Sequence, residues 1–234
     1  MYPRIEAVVL DLFHTLVDPE AFGLRGFHRV EEVARITGRP VPEMLAWWER
    51  ILPTIIVTPT RPVDLLAEYL GDLVGAGQLA AADDAMGRYQ DEALLSPIAG
   101  SVEALDGMRD AGLRVGLLSN AHERDVRAWD RSPLVDRFDV ISMSCFTGYA
   151  KPDAAAYEQM LDALGCAAGS ALFAGDGNGS ELIGARGAGF GLVVAITGPA
   201  LRSGLRSPAE MADLAADADV SVEDVARIPA LLGV

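Results

Sequence analysis

The chain has 234 residues, 50% of them hydrophobic, 23% charged and 6% aromatic, which excludes both a peptide-like scaffold and a disordered chain. A formal net charge of −15 repels phosphate backbones and argues against nucleic-acid binding. The sequence has no apolar run of the roughly 18 residues needed to span a membrane. Met1–Glu6 lacks the basic patch and long apolar stretch of a secretory signal. Cys145 and Cys166 are too few for a disulfide framework, so the expectation is a cytoplasmic chain.

Taken in order, the chain alternates short apolar runs with helical periodicity, the pattern of a parallel α/β sheet covered on both faces. The runs are Ala7–Leu12, Arg114–Ser119, Val140–Ser144, Ala171–Gly175 and Leu192–Thr197, and Asp219–Ser221 is read as an edge strand. Helices are predicted at Val102–Ala111, Glu123–Trp129, Ala154–Leu164, Glu181–Ala188 and Pro208–Ala215. Between the first two strands the text is helical throughout, with candidates Gly26–Thr37, Val41–Ile51, Pro62–Gly75 and Ala80–Leu94. This divides the chain into an α/β core, 1–18 and 96–234, and an all-α insert, 19–95. Trp47 and Trp48 are neighbours on one helix and cannot share a face, so one is expected in the insert core. The other would line the cleft or a dimer contact.

In open parallel sheets, ligands sit beyond the carboxyl ends of the strands. Those ends carry Asp11-Leu12-Phe13-His14-Thr15, then Ser119-Asn120, then Lys151-Pro152 opening a helix with Tyr157, then Asp176-Gly177-Asn178-Gly179-Ser180-Glu181. Singly each has an ordinary explanation, such as a strand-end turn for Asp11 or a favoured helix N-terminus for Glu181. Lys151 stands out because the other 18 of the 19 basic residues are arginine, and a compact ammonium is not interchangeable with a guanidinium fork. Asp11, Asp176 and Glu181 gathered at one rim would repel one another by several kcal/mol per pair, about 4 at close range. A single Lys cannot balance them and an anionic substrate. Either a hard divalent cation binds there, or one carboxyl stays protonated or turns away.

The four segments, in this order and with the Lys-Pro pair, resemble the four motifs of the haloacid dehalogenase (HAD) superfamily, and the helical insert resembles its helical C1-type cap. The likeness runs from Ala7 to about Ile196. It implies a parallel-sheet, Rossmann-like core with an all-α cap inserted after the first strand. It also implies an aspartate-nucleophile hydrolase, with Asp11 as nucleophile. Thr15, Ser119, Asn120 and Lys151 complete the implied catalytic set. Mg²⁺ would be held by Asp11, Asp176 and the backbone carbonyl of Phe13, with Asn178, Glu181 and Tyr157 in support. The implied substrate is small and anionic, for a monomer or homodimer.

One position departs from the phosphatase pattern. Two residues after the nucleophile, where those enzymes carry a proton-transferring Asp, this chain has Phe13. His14 is adjacent and is expected, by alternation, to point away from the cleft. An aromatic residue there resembles the 2-haloacid dehalogenase branch, whose halide leaves without a proton. Asn178, Tyr157 and the five-residue step from Asp176 to Glu181 fit that branch, whereas Asp176 stands where those metal-free enzymes carry Ser and Glu181 replaces their Asp. None of Arg25, Arg29, Arg35, Arg39, Arg50, Arg61 and Arg88 in the insert can be assigned as a halide clamp from sequence. The preferred expectation is a Mg²⁺-dependent phosphatase. The alternatives are a metal-free dehalogenase and a weakly active or non-catalytic binder.

Overall fold

The computed structural model describes residues 4–23 and 26–234. Six strands, β1 (Ala7–Leu10), β2 (Arg114–Ser119), β3 (Val140–Met143), β4 (Ala171–Gly175), β5 (Leu192–Ile196) and β6 (Val220–Val222), form one all-parallel sheet in the order β3-β2-β1-β4-β5-β6. β1 sits centrally, with Leu10 opposite Leu117 of β2 and Ala174 of β4. The strands that follow each other in sequence run outward from β1 first on one side and then on the other. The ends of β1, β2 and β4 therefore meet at one point of the rim, where such sheets bind ligands.

Alternation along the strands builds a core on each face. Val8, Leu10, Leu117, Leu172 and Val194 point to one side, against Leu105 and Met108 of α5 (Ser101–Asp110) and Ile228. Ala7, Val9, Phe173 and Val193 point to the other, against Tyr157 and Met160 of α7 (Ala154–Leu164) and Leu182 of α8 (Glu181–Gly187). Gly116 lets α7 lie close to the sheet, since a Cβ there would come within 2.6 Å of Met160 Sδ.

Within 19–95 the described residues hold only helical elements and loops: α1 (Arg29–Thr37), α2 (Val41–Ile55), α3 (Pro62–Leu70) and α4 (Ala76–Leu95) are the α-helices. They enclose a separate core of Val30, Val33, Met44, Trp47, Leu66 and Met86. α2 runs four residues beyond its predicted end and through Pro53, because Met44, Trp47, Ile51 and Ile55 continue one buried stripe. α3 stops short at Leu70, where Gly71 turns to a positive φ of 52°. Of the adjacent pair, Trp47 is buried in this core; Trp48 is half-buried against it and lies edge-on to His122, at 5.4 Å between ring centroids.

The predicted helix Glu123–Trp129 does not form. Two short 3-10 turns, Glu123–Val126 and Trp129–Arg131, replace it. The chain there is shaped by Arg124, which reaches under α4 to donate to the Asp83 carbonyl at 2.9 Å and to Asp91 at 2.9 Å. Gly87 leaves the room, since a Cβ on it would lie 2.5 Å from the Arg124 guanidinium. β3 ends one residue early, with Ser144–Thr147 forming a helical turn, α6. No helix among the described residues is long and apolar enough to cross a membrane.

Candidate active site at the carboxyl ends of the strands

Asp11 follows directly on β1, and its backbone N–H still pairs with the Ala174 carbonyl of β4 at 2.9 Å, which fixes where its side chain begins. The chain then coils into a tight turn: Leu16 and Val17 N–H both return to the Leu12 carbonyl, at 2.8 and 3.0 Å. That turn lays Thr15 beneath Asp11, where its hydroxyl donates to Asp11 Oδ2 at 3.2 Å. On the other oxygen, Lys151 Nζ donates to Asp11 Oδ1 at 2.5 Å and also to Glu181 Oε2 at 2.5 Å.

Lys151 is placed by Asn120 at the end of β2. The Asn120 amide donates to the Lys151 carbonyl at 2.7 Å and accepts from its N–H at 2.8 Å. Glu181 opens α8, accepts from Gly177 N–H at 3.0 Å, and fits only because Gly175 lacks a Cβ, which would sit 2.1 Å from Glu181 Oε1. Tyr157 steadies the same residue through a 2.7 Å hydrogen bond from its hydroxyl to the Glu181 carbonyl. Its ring packs edge-on against Phe173 and Phe190, so it supports the lysine and glutamate from within the core.

Asp176 follows β4 and is buried; its Oδ1 accepts from Asn178 N–H at 2.9 Å. Asp11, Asp176 and Glu181 each offer an oxygen within 4.8 Å of the others. The predicted convergence at the rim is therefore present. Ser119 is buried at the end of β2, and its hydroxyl has no hydrogen-bond partner among the described residues.

Electrostatics follow from this burial. Desolvation raises Asp11 above the ordinary carboxylate range; Lys151 partly opposes that, and Asp176 adds to it. Glu181 is pushed up to about 8, chiefly by burial, with Lys151 again opposing. Burial alone would lower Lys151, yet Asp11 and Glu181 together hold it protonated and above its usual value. The carboxylates thus compete for less positive charge than they need.

Two expectations need correction. His14 does not point away: its positive φ of 58° turns the ring to the rim, with Nδ1 3.6 Å from Asp176 Oδ2 and Nε2 against Glu20. Strand alternation does not reach His14, because the residues after Asp11 leave the strand. Nor is Lys151 the sole cation at the site. Arg206, beyond the last motif, places Nη1 2.6 Å from Asp176 Oδ2. Nothing local in the sequence marks it; only the return of the chain after β5 brings it there.

A cavity of about 220 Å³ opens between the strand ends and the insert. Its wall includes Asp11, Phe13, His14, Lys151, Asp176 and Glu181, with Arg29 and Gln90 facing them from the helices. Of the insert arginines considered from sequence, Arg29 is the one in this wall among the described residues; Arg25 lies outside those residues. Arg29 is braced by Asp125 at 2.7 Å and by His122 Nε2 at 3.1 Å, partners that sequence spacing did not suggest.

The comparisons agree with this architecture. The family model of haloacid dehalogenase-like hydrolases matches residues 5–189. Phosphatase MT3486 of Mycobacterium tuberculosis (strain CDC 1551 / Oshkosh) is 32% identical over 156 residues, 62% of this chain and 69% of that protein. Among solved structures, an HAD phosphatase from Thermococcus onnurineus superposes with a TM-score of 0.65 at 18% identity, covering 98% of each chain. The L-2-haloacid dehalogenase from Xanthobacter autotrophicus superposes at 0.60 and 22% identity, again covering 98% of each. These structures share the fold and differ in reaction. With four strand-end motifs converging on one cavity and the family match spanning most of its length, the chain belongs to the haloacid dehalogenase-like hydrolases.

Proposed function

We propose that this hydrolase is a Mg²⁺-dependent phosphatase of the cytoplasm, using Asp11 as nucleophile on a small phosphorylated metabolite. The observation that carries the reading is the second carboxylate: Asp176 offers an oxygen within 4.8 Å of one from Asp11 on the wall of the same cavity, two oxygen donors placed to share one cation. The donor set suits a hard cation, since both side chains offer oxygen and Asp176 adds a second negative charge beside Asp11. Asp11, Asp176 and the Phe13 carbonyl would hold the ion, which would screen the nucleophile from the incoming anion and stabilise charge on the phosphoryl oxygens.

The chain's own groups then divide the work. Lys151 keeps Asp11 ionised and oriented at 2.5 Å, and Asn120 fixes the lysine backbone. Thr15 and Ser119 supply hydroxyls for the transferring group; the Ser119 hydroxyl has no competing partner among the described residues. An Asp11 oxygen forms a bond to phosphorus as the bond to the leaving oxygen breaks with its electron pair. Water then attacks phosphorus and releases phosphate, restoring the carboxylate. The helical insert, with Arg29 and Gln90 over the cavity, acts as the cap that excludes water during transfer.

Phe13 shapes the substrate class. It lines the cavity and cannot move a proton, so a leaving group that departs as a stable anion, an acyl or aryl phosphate, is favoured over an alkyl ester. The same residue favours a second reading, carbon–halogen hydrolysis, in which Asp11 displaces halide. A panel of acyl, aryl and alkyl phosphates and 2-haloacids, each with Mg²⁺ or with chelator, tests the choice. Phosphate release that needs Mg²⁺ is expected; halide release indifferent to chelator overturns it. No turnover of any compound, with ligand affinity unchanged in Asp11→Asn, would identify a binding protein instead.

A further inference from the structure

Arg206 belongs to none of the strand-end motifs, yet it makes the shortest polar contact with Asp176. It lies in the turn between α9 (Gly198–Arg202) and α10 (Pro208–Ala215), its side chain only 13% exposed. Nη1 donates to Asp176 Oδ2 at 2.6 Å and lies 3.3 Å from the Asp176 carbonyl oxygen. The turn is anchored at both ends. Arg206 N–H bonds the Ala200 carbonyl at 3.1 Å, and Ser207 caps α10 reciprocally with Glu210, at 2.8 and 3.3 Å.

The guanidinium therefore occupies one oxygen of a carboxylate that a divalent ion would share with Asp11. On the outer side, Arg206 also lines an open groove with Glu210 and Asp213. Those two carboxylates offer the side chain a second place to rest. We propose that Arg206 is an internal counter-ion of Asp176, competing with the divalent cation and swinging outward toward Glu210 and Asp213 when the cation binds. This rests on the metal-dependent reading above. A positive charge that must be displaced from the ligand opposes the cation, so Arg206 makes cation binding weaker and reversible while keeping the carboxylate compensated before the cation binds.

The test is Mn²⁺ binding by the full chain, followed as loss of the free-ion electron paramagnetic resonance signal. Arg206→Gln keeps a hydrogen-bond donor and removes the charge; it is expected to bind Mn²⁺ about tenfold more tightly than the native chain. Arg206→Lys should stay near the native affinity and Asp176→Asn should lose the site. Equal or weaker binding by Arg206→Gln, with binding still dependent on Asp176, overturns the role of Arg206 alone. Absence of Mn²⁺ binding in both native and Arg206→Gln chains overturns the metal reading along with it. A measurement on the native chain needs no variant to fold: phenylglyoxal labelling of Arg206, read by peptide mass, should rise on adding Mn²⁺. Labelling unchanged by saturating Mn²⁺ contradicts the outward swing.

Discussion

Asn120 grips Lys151 by its backbone, donating to the carbonyl at 2.7 Å and accepting from the N–H at 2.8 Å. It thereby sets the direction in which the lysine enters the site. Asn120→Ala removes both bonds without altering a charge. Activity should fall by about ten- to a hundredfold, mostly in kcat, with a stability loss of about 1–3 kcal/mol for the unpaired backbone groups. Steady-state kinetics and urea unfolding check the two parts.

Lys151 ties Asp11 to Glu181, with 2.5 Å contacts to each and a side chain 3% exposed. Lys151→Met leaves two buried carboxyls without their cation, and should destabilise the fold by about 3–5 kcal/mol while abolishing turnover. Lys151→Arg should not restore activity, because a planar fork cannot place one compact charge between the same two oxygens. Chemical denaturation and substrate turnover of both variants supply the measurements.

Phe13→Asp installs a proton-transferring group two residues after the nucleophile. The ratio of alkyl-phosphate to aryl-phosphate turnover should rise by about 10²–10⁴, even if packing loss lowers both absolute rates. A ratio that does not move would show that proton transfer to the leaving group is already supplied elsewhere in the native site.

Features of this fold are legible in the sequence where their physical cause is local. β2 and β4, α7, and the convergence of Asp11, Lys151 and Asp176 were legible because continuous apolar runs and strand-end polar residues are short-range patterns. The segment Glu123–Trp129 misled because its apolar spacing is helical while the fold uses Arg124 to bind α4, a contact between distant parts of the chain. His14 was misjudged for a local reason, a positive φ that no alternation rule foresees in a non-glycine residue. Arg206 and the Arg29–Asp125 pair were invisible, since each joins residues that only topology brings together.

Acid should weaken the protein through His122. The ring is buried, its Nε2 accepts from Arg29 at 3.1 Å, and its Nδ1 has no partner among the described residues. Burial holds its pKa down, from 6.5 to about 4, despite the opposing pull of Asp125. Because the unfolded chain takes up this proton first, stability is complete above about 6.5 and is lost as pH falls toward 4. The contribution is roughly 3 kcal/mol. Unfolding free energies measured between these limits should lose much of their slope in His122→Asn.

The central claim is that Asp11 carries a phosphoryl group while the pair Asp11 and Asp176 holds the cation. Turnover of an acyl phosphate in heavy-oxygen water with Mg²⁺, followed by mass analysis of the phosphate and of the peptide containing Asp11, tests it most directly. In acid-quenched samples the Asp11 peptide is expected to carry a phosphoryl group, with the label in released phosphate and none in the Asp11 carboxylate; a peptide never phosphorylated would mean that water attacks the substrate directly and would contradict the account. Label accumulating in the Asp11 carboxylate during turnover of a 2-haloacid, unaffected by chelator, would contradict the account, because it requires water to attack a carbon ester of the aspartate.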